Sequence, residues 1–139
     1  MRIPIYQIDA FTKEQFKGNP AAVCPLTEWI KDDLMQDIAA ENNLSETAFF
    51  VKKHHEYELR WFTPKGEVDL CGHATLASAY VIFTYLDKTT MKVIFHTKSG
   101  MLEVSREGSL LNMIFPSREG EKCEAPEALI KGLGKKPNE

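Results

Sequence analysis

The alternation of apolar and polar positions predicts a chain dominated by β-strands. Stretches in which every second residue is apolar, and in which β-branched and aromatic residues are common, are typical of half-buried strands. Seven such stretches occur, at residues 3–9, 21–24, 47–53, 57–63, 92–97, 101–105 and 110–115. Glycine-containing turns join the last three into a predicted meander, and hairpin joins of this kind favour an antiparallel sheet.

Two longer segments carry helical patterns. The first, residues 27–41, begins at a capping Thr and places Ile30, Leu34 and Ile38 on one apolar stripe, as expected for a surface helix. The second, residues 72–86, is apolar around nearly its whole circumference, which a helix tolerates only if protein covers it on all sides. We therefore expect an α+β fold, with a curved, mostly antiparallel β-barrel or sheet wrapped around one central helix.

The C-terminal segment differs in character from the rest of the chain. Residues 116–124 are polar and charged, and a short helix is predicted over residues 126–133. The sequence thus predicts one folded domain over residues 1–116, followed by a linker over residues 117–139.

Composition and charge narrow the function classes. The 139 residues include 17 Lys and Arg against 20 Asp and Glu, so the net charge of -3 argues against a nucleic-acid partner. The longest nearly apolar run, residues 74–86, is shorter than the roughly 20 residues that a helix needs to cross a membrane. We therefore expect no membrane as a partner. Three widely spaced cysteines without a C-x-x-C pair predict neither a disulfide framework nor a zinc site, and they favour the cytoplasm.

Two short segments concentrate polar chemistry. In residues 42–49 a helix exit leads into an apolar strand with the carboxylate of Glu46 at its mouth. In residues 69–75 a loop enters the N-terminus of the buried helix at Gly72, where free N–H groups favour an anion. Plain structural interpretations remain open at this point, because Glu46 could be a solvated strand end and His73 a satisfied core histidine.

Several blocks occur in a fixed order along the chain: Asp-Ala-Phe-Thr at 9–12, Phe-x-Gly-Asn-Pro-Ala-Ala-Val at 16–23, Leu-Ser-Glu-Thr-Ala-Phe at 44–49, Leu-Arg-Trp-Phe-Thr-Pro at 59–64, and Glu-Val-Asp-Leu-Cys-Gly-His-Ala-Thr-Leu-Ala at 67–77. Together these blocks resemble the phenazine biosynthesis PhzF-like family of isomerases. The resemblance runs from residue 1 to about residue 135. It implies the diaminopimelate epimerase-like fold, in which two similar β-barrel domains each surround a central helix.

The resemblance also implies a reaction and a set of site residues. The family's catalytic carboxylate falls on Glu46, which would move a proton on a small carboxylate substrate by acid/base catalysis. The implied substrate-binding residues are Asn19, Ser45, Gly72, His73 and Ala74. The chemistry so implied is cofactor-independent and needs neither a metal nor a nucleotide.

Cys71 leaves a second mechanism open. In epimerases and racemases of the same fold a cysteine just before this glycine is one half of a thiol pair, and Cys71-Gly72-His73 resembles the proline racemase version of that motif. A helix N-terminus lowers a thiol pKa, which makes the idea physically reasonable. The Ser45-Glu46-Thr47 block favours the carboxylate mechanism instead, and the second thiol would have to come from elsewhere.

This chain is shorter than the proteins of the family it resembles. PhzF-like proteins are about twice as long, and their cleft lies between two domains, so residues 117–139 include the expected start of a second domain that this chain lacks. Three interpretations compete: a domain of a longer enzyme, a half that needs a separate C-terminal partner chain, and a catalytically inactive carboxylate-binding or assembly module. A homodimer could also bring two helix N-termini to one cleft.

Overall fold

One curved sheet of eight strands forms the body of the protein. The computed structural model describes residues 1–117 and 119–136. The strands are β1 (Tyr6–Ala10), β2 (Asn19–Leu26), β3 (Glu46–Lys53), β4 (Glu56–Thr63), β5 (Gly66–Val68), β6 (Lys92–Thr97), β7 (Gly100–Glu107) and β8 (Leu110–Ile114). All seven predicted strands are present, and the short β5 was not predicted. Strand β2 is longer than the predicted stretch of residues 21–24, since it begins at Asn19 and ends at Leu26.

The sheet is mixed but mostly antiparallel. Its strand order is β1-β2-β3-β4-β6-β7-β8, with β5 paired to β4. Five pairs are antiparallel, whereas β2–β3 and β4–β6 are parallel. A parallel pair requires a long crossover, and a helix lies in each of the two connections. The prediction from hairpins missed these two pairs, because a hairpin joins neighbours only. The 92–115 meander is confirmed as β6, β7 and β8.

Helix α1 (Asp32–Asn42) covers one face of the sheet. The predicted start at Thr27 is wrong, because β2 runs to Leu26 and the chain then needs several residues to leave the sheet. The predicted stripe is also shifted: Leu34 is 37% exposed, and Met35 and Ala39 are buried against the sheet.

Helix α2 (Gly72–Val81) occupies the other face and is the central helix that the pattern predicted. Buried along it are His73, Ala74, Thr75, Ala77, Ser78, Ala79 and Val81. It packs against β1, β2, β3 and β8, so strands from both edges of the sheet reach it. Residues Ile82–Leu86 continue it as a π-helix rather than the predicted α-helix. Coverage is incomplete at this end, where Tyr80 is 42% exposed and contacts Tyr85 edge to face.

The two faces are separated by alternation along single strands. On β3, Phe49 joins the cluster under α1, whereas Phe50 joins the cluster around α2. Trp61 and Phe62 do the same on β4. Because a strand fixes the direction of each side chain, this packing also fixes which way the first residue of β3 points.

The C-terminal part contains helix α3 (Glu127–Leu133), close to the predicted bounds. None of its residues is buried. Within the residues that the structure describes, we find no helix that combines the length and the apolar character needed to span a bilayer.

Candidate active site at the start of the central helix

Glu46 is the first residue of β3, and two features hold it there. Strand β3 runs parallel to β2, with Glu46 opposite Ala21. Just upstream, Asn42 at the end of α1 donates a hydrogen bond through Nδ2 to Thr47 Oγ1 at 3.1 Å. The Glu46 side chain is 20% exposed, so its carboxylate lies in a partly closed position rather than in bulk solvent.

The first turn of α2 leaves backbone donors available. Thr75 donates both its N–H and its hydroxyl to the carbonyl oxygen of Cys71, at 3.3 and 2.6 Å. Cys71 is the extended residue before the helix, and no side chain of the described residues caps it by a hydrogen bond. The N–H groups of Gly72, His73 and Ala74 have no carbonyl within the helix to bind. Those of His73 and Ala74 face the Cys71 sulfur, and all three lie at the helix N-terminus.

Gly72 is not demanded by the backbone. Its φ is outside the left-handed region, and an added Cβ would make only ordinary contacts, with Met113 Cε at 3.5 Å and Phe115 Cζ at 3.9 Å. The absence of a side chain therefore serves access to the helix N-terminus better than it serves folding.

Glu46, Cys71 and His73 come together as one cluster, which we call the triad. His73 Nε2 lies 3.4 Å from Glu46 Oε2, and His73 Nδ1 lies 3.3 Å from Cys71 Sγ. The His73 side chain is only 8% exposed, and its Nε2 has no hydrogen-bond partner among the described residues. A buried polar atom without a partner is costly, which marks it as a candidate for ligand contact.

The environment of Cys71 disfavours a thiolate. Burial is the largest cause that raises the pKa of this thiol to about 11. The negative charge of Glu46 and a hydrogen bond from the thiol to its carboxylate raise the pKa further, while the N–H groups of Ala74 and His73 lower it. The lowering expected from a helix N-terminus is present but is outweighed, so the thiol is protonated at neutral pH.

The other predicted site residues lie around the triad. Ser45 is exposed and directly precedes Glu46. Asn19 is half-buried at the start of β2. Because β2 and β3 are parallel, both strands begin at the same end of the sheet, and Asn19 lies at that end with Glu46. Gly18 permits a close approach there, since a Cβ at this position would lie 2.2 Å from the carbonyl oxygen of Ala10.

Sequence analysis missed three neighbours of the site. Asn42 positions the start of β3, and Met113 and Phe115 lie beside Gly72. The alternation in residues 110–115 correctly predicted a strand, but nothing in it could show that this edge strand would reach the start of α2.

The fold belongs to the diaminopimelate epimerase-like class. A protein from Pseudomonas aeruginosa named a predicted epimerase superimposes with a TM-score of 0.68 at 25% identity, over 80% of this chain and 41% of that one. Within that class, the chain belongs to the PhzC-PhzF family of phenazine biosynthesis-like proteins, whose family model matches residues 8–136.

Two further proteins are similar to this chain in sequence or in structure. An uncharacterized isomerase of Pseudomonas aeruginosa is 54% identical over 134 residues, which are 96% of this chain and 52% of the relative. A crystal structure of a phenazine biosynthesis PhzC/PhzF protein from Clostridium difficile is 51% identical with a TM-score of 0.86, over 99% of this chain and 53% of that one. The chain thus spans about half the length of the relatives it matches.

Proposed function

We propose that this chain is a domain of a cofactor-independent isomerase or epimerase that moves a proton on a small carboxylate substrate. The observation that carries the proposal is the placement of the Glu46 carboxylate 3.4 Å from a buried imidazole nitrogen, at the open start of a central helix. Membership of a family whose relatives are named isomerases supports it.

Glu46 is proposed as the group that takes the proton from carbon and returns it. Glu46 Oε2 lies 3.4 Å from His73 Nε2. A carboxylate placed beside an imidazole can accept a proton from a substrate carbon in the cleft and return it. General acid/base catalysis of this kind contributes on the order of 100-fold to 10,000-fold in rate.

The N–H groups of Gly72, His73 and Ala74 are proposed to bind the substrate. A helix N-terminus carries partial positive charge, which favours a carboxylate and stabilises the enolate-like charge that develops when a C–H proton leaves. The buried surroundings of α2 fix these donors before substrate arrives, which is what such stabilisation requires. Asn19 and Ser45 are proposed to line the same cleft.

The carboxylate mechanism is favoured over the thiol mechanism by the state of Cys71. Burial raises the pKa of this thiol to about 11, so at pH 7 it is almost entirely protonated. Only the thiolate could act as the base. We therefore assign Cys71 no direct part in proton transfer.

The complete enzyme is proposed to include a second half, supplied by a continuation of the chain, by a separate partner chain or by a second copy. Relatives about twice as long support this part of the proposal. A catalytically inactive carboxylate-binding or assembly module is the alternative, because half a cleft can still bind an anion.

Deuterium wash-in from D2O tests the proposal. A panel of small amino and hydroxy acids is incubated with the chain alone and with a version extended to the length of its relatives, and mass spectrometry follows exchange at carbon. Exchange with the extended version supports the isomerase. Carboxylate binding without exchange in either version supports the inactive module and overturns the proposal.

A further inference from the structure

The triad has the spacing of a metal site. One donor atom each of Glu46, Cys71 and His73 lies within 4.8 Å of the other two. Tetrahedral Zn²⁺ has bonds of roughly 2.0 to 2.3 Å, which separate its ligand atoms by about 3.3 to 3.7 Å. The Cys71 Sγ to His73 Nδ1 distance of 3.3 Å already meets this spacing. Glu46 needs a movement of about 1 Å at most to join them.

An independent observation points to a ligand here. The His73 side chain is 92% buried, and its Nε2 lacks a hydrogen-bond partner among the described residues. His73 Nδ1 faces Cys71 Sγ and His73 Nε2 faces Glu46 Oε2, so the imidazole must turn until one nitrogen lies between the sulfur and the carboxylate for all three residues to hold one cation. Sulfur, nitrogen and carboxylate oxygen together form the donor set of Zn²⁺, whereas Mg²⁺ and Ca²⁺ prefer oxygen alone.

We propose that Glu46, Cys71 and His73 bind a thiophilic divalent cation of the Zn²⁺ type, and that this cation inhibits the enzyme. Three bonds form from the protein to the metal, the thiol proton is released to solvent, and no group is oxidised or reduced. The fourth coordination position stays open to water or substrate. Binding occupies the carboxylate of Glu46 and so prevents its proton transfer.

The binding and the inhibition rest on different grounds. Binding follows from the donor set and stands whether or not the chain is an isomerase. Inhibition rests on the proposed function, since it requires that Glu46 carry the proton.

Exposed donors provide natural controls. His54, His55, Glu56 and His96 line one surface pocket, which we call the outer cluster, and His96 Nε2 pairs there with Glu56. Cys123 is an exposed thiol. A metal bound adventitiously would use these groups before it reached the triad.

The test is a titration of the 139-residue chain with Co²⁺, which reports thiolate ligation by charge-transfer absorption in the near ultraviolet, followed by displacement with Zn²⁺. We expect the absorption in the wild type, in His96→Gln and in Cys123→Ser, and its loss in Cys71→Ser. His73→Gln and Glu46→Gln should weaken binding on the order of 10-fold or more. Far-ultraviolet circular dichroism checks the fold of each variant. If Cys71→Ser does not fold, the affinity of Glu46→Gln for Co²⁺ is the deciding measurement.

Two results would overturn the inference. Absorption that is absent in the wild type, or that persists in Cys71→Ser and disappears in Cys123→Ser, removes the triad as the site. If the extended protein exchanges deuterium and Zn²⁺ at saturating concentration leaves the rate unchanged, the inhibitory part is wrong while the isomerase stands. A chain without exchange activity that still shows the Co²⁺ band leaves the binding part intact.

Discussion

The triad and the outer cluster contain the same kinds of side chain in opposite surroundings. In the outer cluster, His96 and Glu56 are 51% and 42% exposed, and they pair directly with each other. In the triad, His73 is 8% exposed and Glu46 is 20% exposed, and the imidazole nitrogen that faces the carboxylate has no hydrogen-bond partner among the described residues. The exposed His96 and Glu56 bind each other and are screened by water. The buried His73 Nε2 and Glu46 are not hydrogen-bonded to each other and are largely shielded from water.

This difference supports placing the proposed active site at the triad rather than at the outer cluster. A surface ion pair contributes about 0 to 1 kcal/mol and its loss changes little. A buried imidazole nitrogen without a hydrogen-bond partner lowers stability, and a protein keeps such a group where it serves chemistry. The helix N-terminus beside the triad adds fixed donors that the outer cluster does not have.

The largest predicted effect contrasts the two glutamates. Glu46→Gln should reduce deuterium exchange in the extended protein by on the order of 100-fold to 10,000-fold, because the amide cannot accept the proton from carbon. Glu56→Gln should leave the rate unchanged, since Glu56 contacts only the outer cluster. Rates of wash-in measured side by side check this pair.

Cys71→Ala serves as the control for the competing mechanism. It should retain most of the activity, because the protonated thiol takes no direct part. Full activity in Glu46→Gln, or inactivation confined to Cys71→Ala, would contradict the assignment of Glu46.

The next effect is on alkaline stability. Burial raises the pKa of Cys71 from 9.0 to about 11, so the folded state keeps a proton that the unfolded state has lost between these values. The contribution is therefore intact below pH 9, and the free energy of unfolding should fall by about 1.4 kcal/mol per pH unit from pH 9 to pH 11 on account of this thiol. Urea unfolding at pH 8, 9 and 10 measures it.

Cys71→Ala isolates this thiol from other groups that titrate at high pH. The variant should lose stability with rising pH less steeply than the wild type. Equal slopes for the two proteins would mean that Cys71 is solvated and open to ionisation.

The smallest effect is expected in the outer cluster. His96→Gln should change the free energy of unfolding by less than about 1 kcal/mol, because the pair with Glu56 is half-exposed. Denaturant midpoints in low and high salt measure it. A loss of several kcal/mol would show that the exposed and buried clusters are not as different as their solvent exposure indicates.

Sequence patterns predicted the strands and the central helix, but not how helix α1 packs against the sheet. Alternation located seven strands, and uniform apolarity of residues 72–86 identified the central helix. The start of α1 was wrong, and its buried face was right only in part. Ile30 and Ile38 pack against the cluster under α1, but Met35 is buried in place of Leu34, because a stripe at four-residue spacing does not show which side the sheet covers.

The site was predictable in part for a related reason. A carboxylate before an apolar strand and a glycine at a helix start are local features, so Glu46 and Gly72 could be singled out. That Cys71 would contact His73 and lie near Glu46 depends on the parallel β2–β3 pair and on the depth of α2, which are long-range properties of the sheet.

The most direct test of the account follows the backbone N–H signals of the chain by NMR during titration with acetate, against chloride at the same ionic strength. We expect saturable shifts at Gly72, His73 and Ala74, with smaller ones near Glu46, because these helix N-terminal donors are the proposed substrate carboxylate site. We expect no saturable shift at His54, His55 or His96. Saturable shifts confined to the outer cluster, or none at the start of α2, would contradict the account.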